Sequence, residues 1–292
     1  MNKQKIKSFI DGWFLPPKLK VNAQIIREKI KNRLKYDQSL FEKNEKLKDI
    51  HTNDRCFLIA TGPSLKEQDL TLLKDEITIG VSGLYTHKDI KIFNPKYYVS
   101  TPIFRYHGDL YDEETFIADL REMDKALSDE TIMFFDIYDK SYIERNGVFT
   151  NKEIYWLQYI PWDEDPFTEI DLKNLPNIRL ASEVMFYVAI HLGFKEIYLL
   201  GIDHTWFNGL NVYFDQSRND KFFKPGKQVA KEHNIDSEYS MEAHLKVFKK
   251  YKNFYKIKQN IFNANVYENT YVDTFPKVRY KDLFKENKEK NC

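Results

Sequence analysis

Short apolar runs that alternate with amphipathic stretches predict an α/β fold, with a mainly parallel sheet covered by helices on both faces. Two further observations support this class. The apolar runs are continuous rather than alternating, as strands buried on both faces require. Several of them also end abruptly in glycine or small polar residues, where a chain leaves a sheet.

The elements follow in order. Phe57 to Ala60 is a strand that stops at Thr61-Gly62-Pro63-Ser64, and the amphipathic Leu65–Lys74 predicts a helix beyond it. In that turn Gly62 permits a close backbone approach or a positive φ, Pro63 sets the turn, and Ser64 is placed to cap the helix. Strands follow at Ile77–Ser82, Lys96–Ser100, Thr131–Phe135 and Glu153–Tyr159, with a helix over Glu113–Leu127 read from its apolar spacing. Pro161 to Pro176 is acidic and turn-rich, and reads as a loop or lid. A helix through Val184, Tyr187, Val188 and His191 ends at Gly193, and Lys195–Gly201 is the next strand, with Ile202-Asp203-His204 at its carboxyl end. After a polar stretch, a helix from Tyr239 to Lys258 leads to a closing strand at Ile261–Asn265.

Three regions result: an N-terminal basic amphipathic arm (1–52), the α/β domain (53–284) and a charged tail (285–292). In the arm, Lys and Arg far outnumber Asp11 and Glu28 over the first 36 residues, interleaved with apolar side chains. That pattern fits an interfacial helix on an anionic membrane, or a solvated helix whose apolar stripe packs on the domain. The whole chain has 292 residues and 42% hydrophobic content, enough for one large core or two modest ones. Its formal net charge of +1 argues against a general nucleic-acid binder, which needs a basic field. The two cysteines, Cys56 and Cys292, form no spaced pattern, and there is no signal peptide or long apolar run. A reducing cytoplasm is the expected compartment, with peripheral contact at the inner face of the cell membrane under the interfacial reading.

In an open α/β sheet, ligands bind beyond the carboxyl ends of the strands, and free N–H groups of a helix start there suit a phosphate. Thr61–Ser64 and Gly201–His204 are the two strand ends with the right chemistry. Asp203 could hydrogen-bond a ribose or substrate hydroxyl, contact a metal, or simply cap a turn. Histidine suits a base working near neutral pH, and His204 and His244 are the candidates, with His233 in reserve. Asp163-Glu164-Asp165 has the look of an acidic metal triplet, but its Pro-flanked setting reads as a solvated turn, so no metal site is assigned.

Ala60-Thr-Gly-Pro-Ser-Leu-Lys66, Arg179-Leu-Ala-Ser182 and Ala189-Ile-His-Leu-Gly-Phe-Lys-Glu-Ile-Tyr-Leu-Leu-Gly-Ile-Asp203 together resemble the bacterial sialyltransferases of glycosyltransferase family 42. They are similar also to the related domain named after the 6-hydroxymethylpterin pyrophosphokinase MptE, found in surface-polysaccharide proteins. The likeness runs from about Arg55 to Phe284. It implies a Rossmann-like fold that binds a CMP-sugar without a metal cofactor, a histidine base on the acceptor hydroxyl, and tyrosine hydroxyls aiding the departing phosphate. Carried onto this chain, it puts Thr61, Gly62, Pro63 and Ser64 at the phosphate-side turn and Gly201 and Asp203 near the nucleotide. Arg179 and Ser182 would lie by donor or acceptor. Thr61, Ser82 and Thr101 stand where the family has asparagines, its paired tyrosines are replaced around Thr205 with Tyr213 left as a nearby phenol, and His233 and His244 flank the place of its base. The implied activity is transfer of a sugar, such as CMP-activated sialic acid, to a bacterial surface glycan or glycolipid. An oligomer is compatible with this. The alternatives are a diphosphotransferase using ATP and Mg²⁺, or a catalytically silent relative that binds nucleotide or glycan.

Overall fold

The computed structural model describes residues 17–100, 113–160, 170–204, 237–266 and 272–285. Seven strands are described: β1 Arg55–Ile59, β2 Ile77–Val81, β3 Tyr97–Val99, β4 Ile132–Asp136, β5 Ile154–Leu157, β6 Glu196–Leu200 and β7 Ile261–Asn263. They form one sheet in the order β5-β4-β3-β2-β1-β6-β7, and every pairing is parallel. The expected Rossmann-like α/β architecture is what the chain adopts. The main helices are α1 Pro17–Lys35, α2 Glu113–Ala126, α3 Lys140–Arg145, α4 Ala181–His191 and α5 Ser237–Ile257.

The continuous apolar strands serve two cores at once. Leu58, Val81, Val99, Phe134, Leu157 and Leu199 point to the face where α4 and α5 pack. Their sequence neighbours Phe57, Ile59, Tyr98, Met133, Phe135 and Leu200 point to the opposite face, with α2 and Ile143 of α3. That is the period-two geometry of a strand. The chain steps outward from β1 to β5, then returns to the far side of β1 for β6 and β7. Right-handed crossovers in opposite directions must use opposite faces of the sheet. The connections leaving β1 and entering β7 therefore diverge, and a crevice opens beyond the carboxyl ends of β1 and β6.

The predicted helix after β1 is not an α-helix. Two 3₁₀ turns, Pro63–Glu67 and Leu70–Leu73, replace it, with Gln68 extended between them (φ −108°, ψ 131°). Asp69 supplies the reason: its carboxylate accepts from Thr71 N–H (3.1 Å) and Thr71 Oγ (2.5 Å), which caps a second turn instead of continuing the first. The free N–H groups and dipole expected of a long helix at this point are consequently reduced to one short turn.

The arm is not uniform. Phe41, Asn44, Leu47 and His51 are buried, and Asn44 Nδ2 donates to the Trp156 carbonyl (2.9 Å) beside edge strand β5. Backbone bonds from Asp49 and His51 to the carbonyls of His191 and Leu192 tie the segment to the end of α4. Residues 39–54 thus belong to the packed body, and α1 lies against it with one face exposed. The tail from 286 onward, residues 1–16 and the acidic triplet lie outside the described residues. No helix among the described residues is long and apolar enough to cross a membrane.

Candidate active site

The crevice begins with two glycines pressed together. Gly62 N–H donates to the Gly201 carbonyl at 2.8 Å, continuing the β1–β6 ladder past both strand ends. A Cβ on Gly62 would lie 2.4 Å from Asp203 Oδ2 and 2.5 Å from the Gly201 oxygen. Since Gly62 has φ −66°, contact rather than conformation requires glycine here. Gly201 needs it on both counts: φ is +64°, and a Cβ would lie 2.6 Å from the Ala60 oxygen.

Asp203 sits against this junction. Ser64 donates to it twice, from N–H to Oδ2 (2.8 Å) and from Oγ to Oδ1 (2.6 Å). Ser64 therefore does not cap the turn it opens; Asp203 does, from the neighbouring strand. Burial raises the Asp203 carboxyl to about 6, partly offset by the two Ser64 bonds. Asn265, just past β7, anchors the same strand end: Ile202 N–H donates to its Oδ1 (3.2 Å), and its Nδ2 donates to the Ile202 carbonyl (2.9 Å).

The next residue turns the other way. His204 has φ +53°, a left-handed conformation that sends its side chain toward α5. Its Nε2 lies 2.8 Å from Tyr251 Oη, and that hydroxyl lies 2.8 Å from Ser182 Oγ at the start of α4. The His244 ring stands edge-on to His204, centroids 5.2 Å apart, with Phe248 completing the wall. On α5, His244, Val247, Phe248 and Tyr251 recur at helical spacing, so one face of the helix delivers both core packing and polar groups.

Burial, with the neighbouring His244 adding to it, lowers the His204 imidazole to about 3 and keeps it neutral at physiological pH. Burial, with the Glu183 carboxylate adding to it and the Ser182 bond partly offsetting it, pushes the Tyr251 phenol far above its ordinary 10. His204 Nδ1 is buried and has no hydrogen-bond partner among the described residues. A buried orphan lone pair is better tolerated than a buried orphan N–H. We therefore assign the tautomer in which Nε2–H donates to Tyr251, leaving the Nδ1 lone pair unused.

Glu183 fastens the two helices that carry this network. Its Oε1 accepts from the backbone N–H of Arg179 (2.6 Å) and Leu180 (2.8 Å), which caps α4. Its Oε2 pairs with Lys250 of α5 at 2.5 Å, and Lys250 also donates to the Asn177 carbonyl. Glu183 is fully buried and Lys250 nearly so.

Of the expected site residues, Thr61, Gly62, Pro63, Ser64, Gly201 and Asp203 meet at the β1–β6 junction, with Thr61 buried beside it. His204, His244 and Ser182 meet in the second cluster, and Arg179 lies just before α4, half-buried. Ser82 ends β2 with φ +52°, its carbonyl accepting from Tyr98 Oη (2.8 Å). Thr101, Tyr213 and His233 lie outside the described residues. Sequence reasoning missed Tyr251, Glu183, Lys250 and Asn265. The signal for Tyr251 was its place seven residues beyond His244 on one helical face, where an aromatic reads first as core.

Chemically, the arrangement offers a close backbone approach at a crossover crevice, a carboxylate that caps the Ser64 turn, and two adjacent imidazoles whose mutual repulsion disfavours charging both. Among the described residues no group of three or more His, Cys, Asp or Glu side chains could hold a metal ion. No protein-family model matches the chain, and no curated protein matches it.

Proposed function

We propose that this protein is a glycosyltransferase that takes a sugar from a nucleotide-activated donor and passes it to a surface glycan or glycolipid. The observation that carries the reading is the meeting of the Gly62 turn, the Gly201–Asp203 strand end and the His204–His244 pair at one crossover crevice. The donor phosphates would approach the glycine junction, where no side chain intervenes. A base would draw the proton from the acceptor hydroxyl. His244 is the stronger candidate, because the Nε2 of His204 is committed to Tyr251 and its basicity is suppressed by burial. His204, fixed by Tyr251, then acts as a neutral neighbour whose ring packs edge-on against His244.

The resemblance to family 42 sialyltransferases places CMP-linked acidic sugars first among donors. Transfer to a surface glycan fits peripheral contact with an anionic membrane from the cytoplasmic side, and the basic helix α1 supports that contact. The test is incubation of the folded protein with a panel of CMP- and UDP-sugars and a glycan acceptor, following nucleotide release. Turnover that persists in EDTA separates this reading from a Mg²⁺-dependent diphosphotransferase. Absence of both turnover and binding with every donor would refute it.

A further inference from the structure

Helix α1 shows two different faces. Half-buried Ile25, Glu28 and Asn32, with Tyr36 just past the helix end, form one line, along which Asn32 and Tyr36 touch the body. Around the helix from that line, Ile26, Ile30 and Leu34 are 58%, 54% and 84% exposed. Their spacing of four residues makes one apolar stripe. Exposed Lys29 and Arg33 border it on one side, exposed Arg27 and Lys31 on the other. A helix stabilised only by its contact with the body would put its large apolar residues inward. Here the inward line mixes Ile25 and Tyr36 with the polar Glu28 and Asn32, while three large aliphatics face out. An apolar stripe with cations on both flanks is complementary to the boundary between anionic headgroups and acyl chains.

The place where α1 is fastened gives this face a direction. Asn32 Nδ2 donates to the carbonyl of Tyr159, beyond the carboxyl end of β5 (3.3 Å). Lys35 Nζ lies 5.5 Å from the ring centroid of Tyr138, directly after β4. Both contacts lie on the carboxyl edge of the sheet, the edge that carries the β1–β6 crevice. Three strand spacings separate β4 from β1, about 14 Å along that edge.

We propose that α1 seats on an anionic bilayer through Ile26, Ile30 and Leu34, with the carboxyl edge of the sheet turned toward the headgroups and the amino edge away. This rests on the peripheral-contact reading above and extends it to an orientation. It does not depend on turnover of any sugar nucleotide. The crevice would then open at the level of substrates carried on lipid.

The experiment uses the full-length chain and vesicles of phosphatidylcholine with or without phosphatidylglycerol. Sedimentation should show binding to the anionic vesicles only, weakened by added salt, with each flanking cation removed (Lys31→Gln, Arg27→Gln) lowering the partition about fivefold. The triple variant Ile26→Glu, Ile30→Glu, Leu34→Glu should lose binding more than tenfold while its thermal midpoint stays near wild type, since these side chains are exposed. For orientation, spin labels are placed at Tyr138→Cys and Glu130→Cys, at opposite ends of β4, in a Cys292→Ser background; Cys56 is fully buried. On vesicles, the label at 138 should lose accessibility to a water-soluble relaxant while the label at 130 keeps it. No binding to anionic vesicles, or full binding by the triple variant, overturns the docking. A stripe-dependent dimer without vesicle binding overturns it in favour of a second copy. Binding with the label at 130 protected, or with both labels equally accessible, overturns the orientation alone.

Discussion

His204 and Asp203 are consecutive, buried and shifted in opposite directions, so acid should act on them with opposite signs. The His204 imidazole titrates near 3 in the folded protein against an ordinary 6.5. Protonation therefore favours the unfolded chain, and the stability His204 contributes is full above about pH 6.5 and is lost as the pH falls toward 3. Between pH 7.5 and pH 5 that loss amounts to about 2 kcal/mol. The Asp203 carboxyl titrates near 6 against an ordinary 3.8. Its protonation favours the folded state, which regains about 1 kcal/mol over the same interval. In wild type the Asp203 gain offsets about half of the His204 loss. Replacing His204 by asparagine removes the titration while tolerating the left-handed backbone at φ +53°. Urea unfolding at the two pH values should then show the variant becoming more stable at pH 5, relative to wild type, by about 2 kcal/mol beyond any constant packing cost. Asp203→Asn should shift the balance the other way by about half as much. An unchanged wild-type-minus-variant difference at the two pH values would refute the burial argument for His204.

Gly62→Val forces a Cβ to within 2.4 Å of Asp203 Oδ2, so it should cost about 1–3 kcal/mol in urea unfolding and abolish nucleotide affinity in calorimetry. Lys250→Met leaves the Glu183 carboxylate buried without its cation, and should destabilise by about 3–5 kcal/mol. Adding Glu183→Gln should recover much of that in a double-mutant cycle, and no recovery would mean the pair is not coupled. His244→Ala should slow transfer by roughly 10²–10⁴ with donor binding retained, whereas a loss within a few-fold removes His244 as the base.

The fold was legible because each strand is a local apolar run long enough to be recognised without its neighbours. The crevice was legible for a related reason: Gly62 and Gly201 are small where a strand ends, and the topology then puts the two ends side by side. What escaped were interactions between distant residues. Nothing near Ser64 reveals that its partner is Asp203, 139 positions away, or that this bond, with Asp69 starting a new turn, breaks the expected helix. Glu183 and Lys250 read separately as surface charges, and only the packing of α5 on α4 makes them a buried pair. Tyr251 falls on an apolar stripe, so its polar hydroxyl was hidden by its own ring. The basic amphipathic character of the arm was visible, but the outward stripe of Ile26, Ile30 and Leu34 was not, because which side meets the body depends on Asn32 reaching Tyr159.

The central claim is that a nucleotide binds at the β1–β6 carboxyl edge, and calorimetric titration of CMP into three proteins tests it most directly. Wild type and Asp54→Ala, altered just before the amino end of β1, should bind CMP equally, while Gly62→Val should not bind. Equal binding by Gly62→Val, or no binding of CMP or any other nucleotide by wild type, would contradict the account.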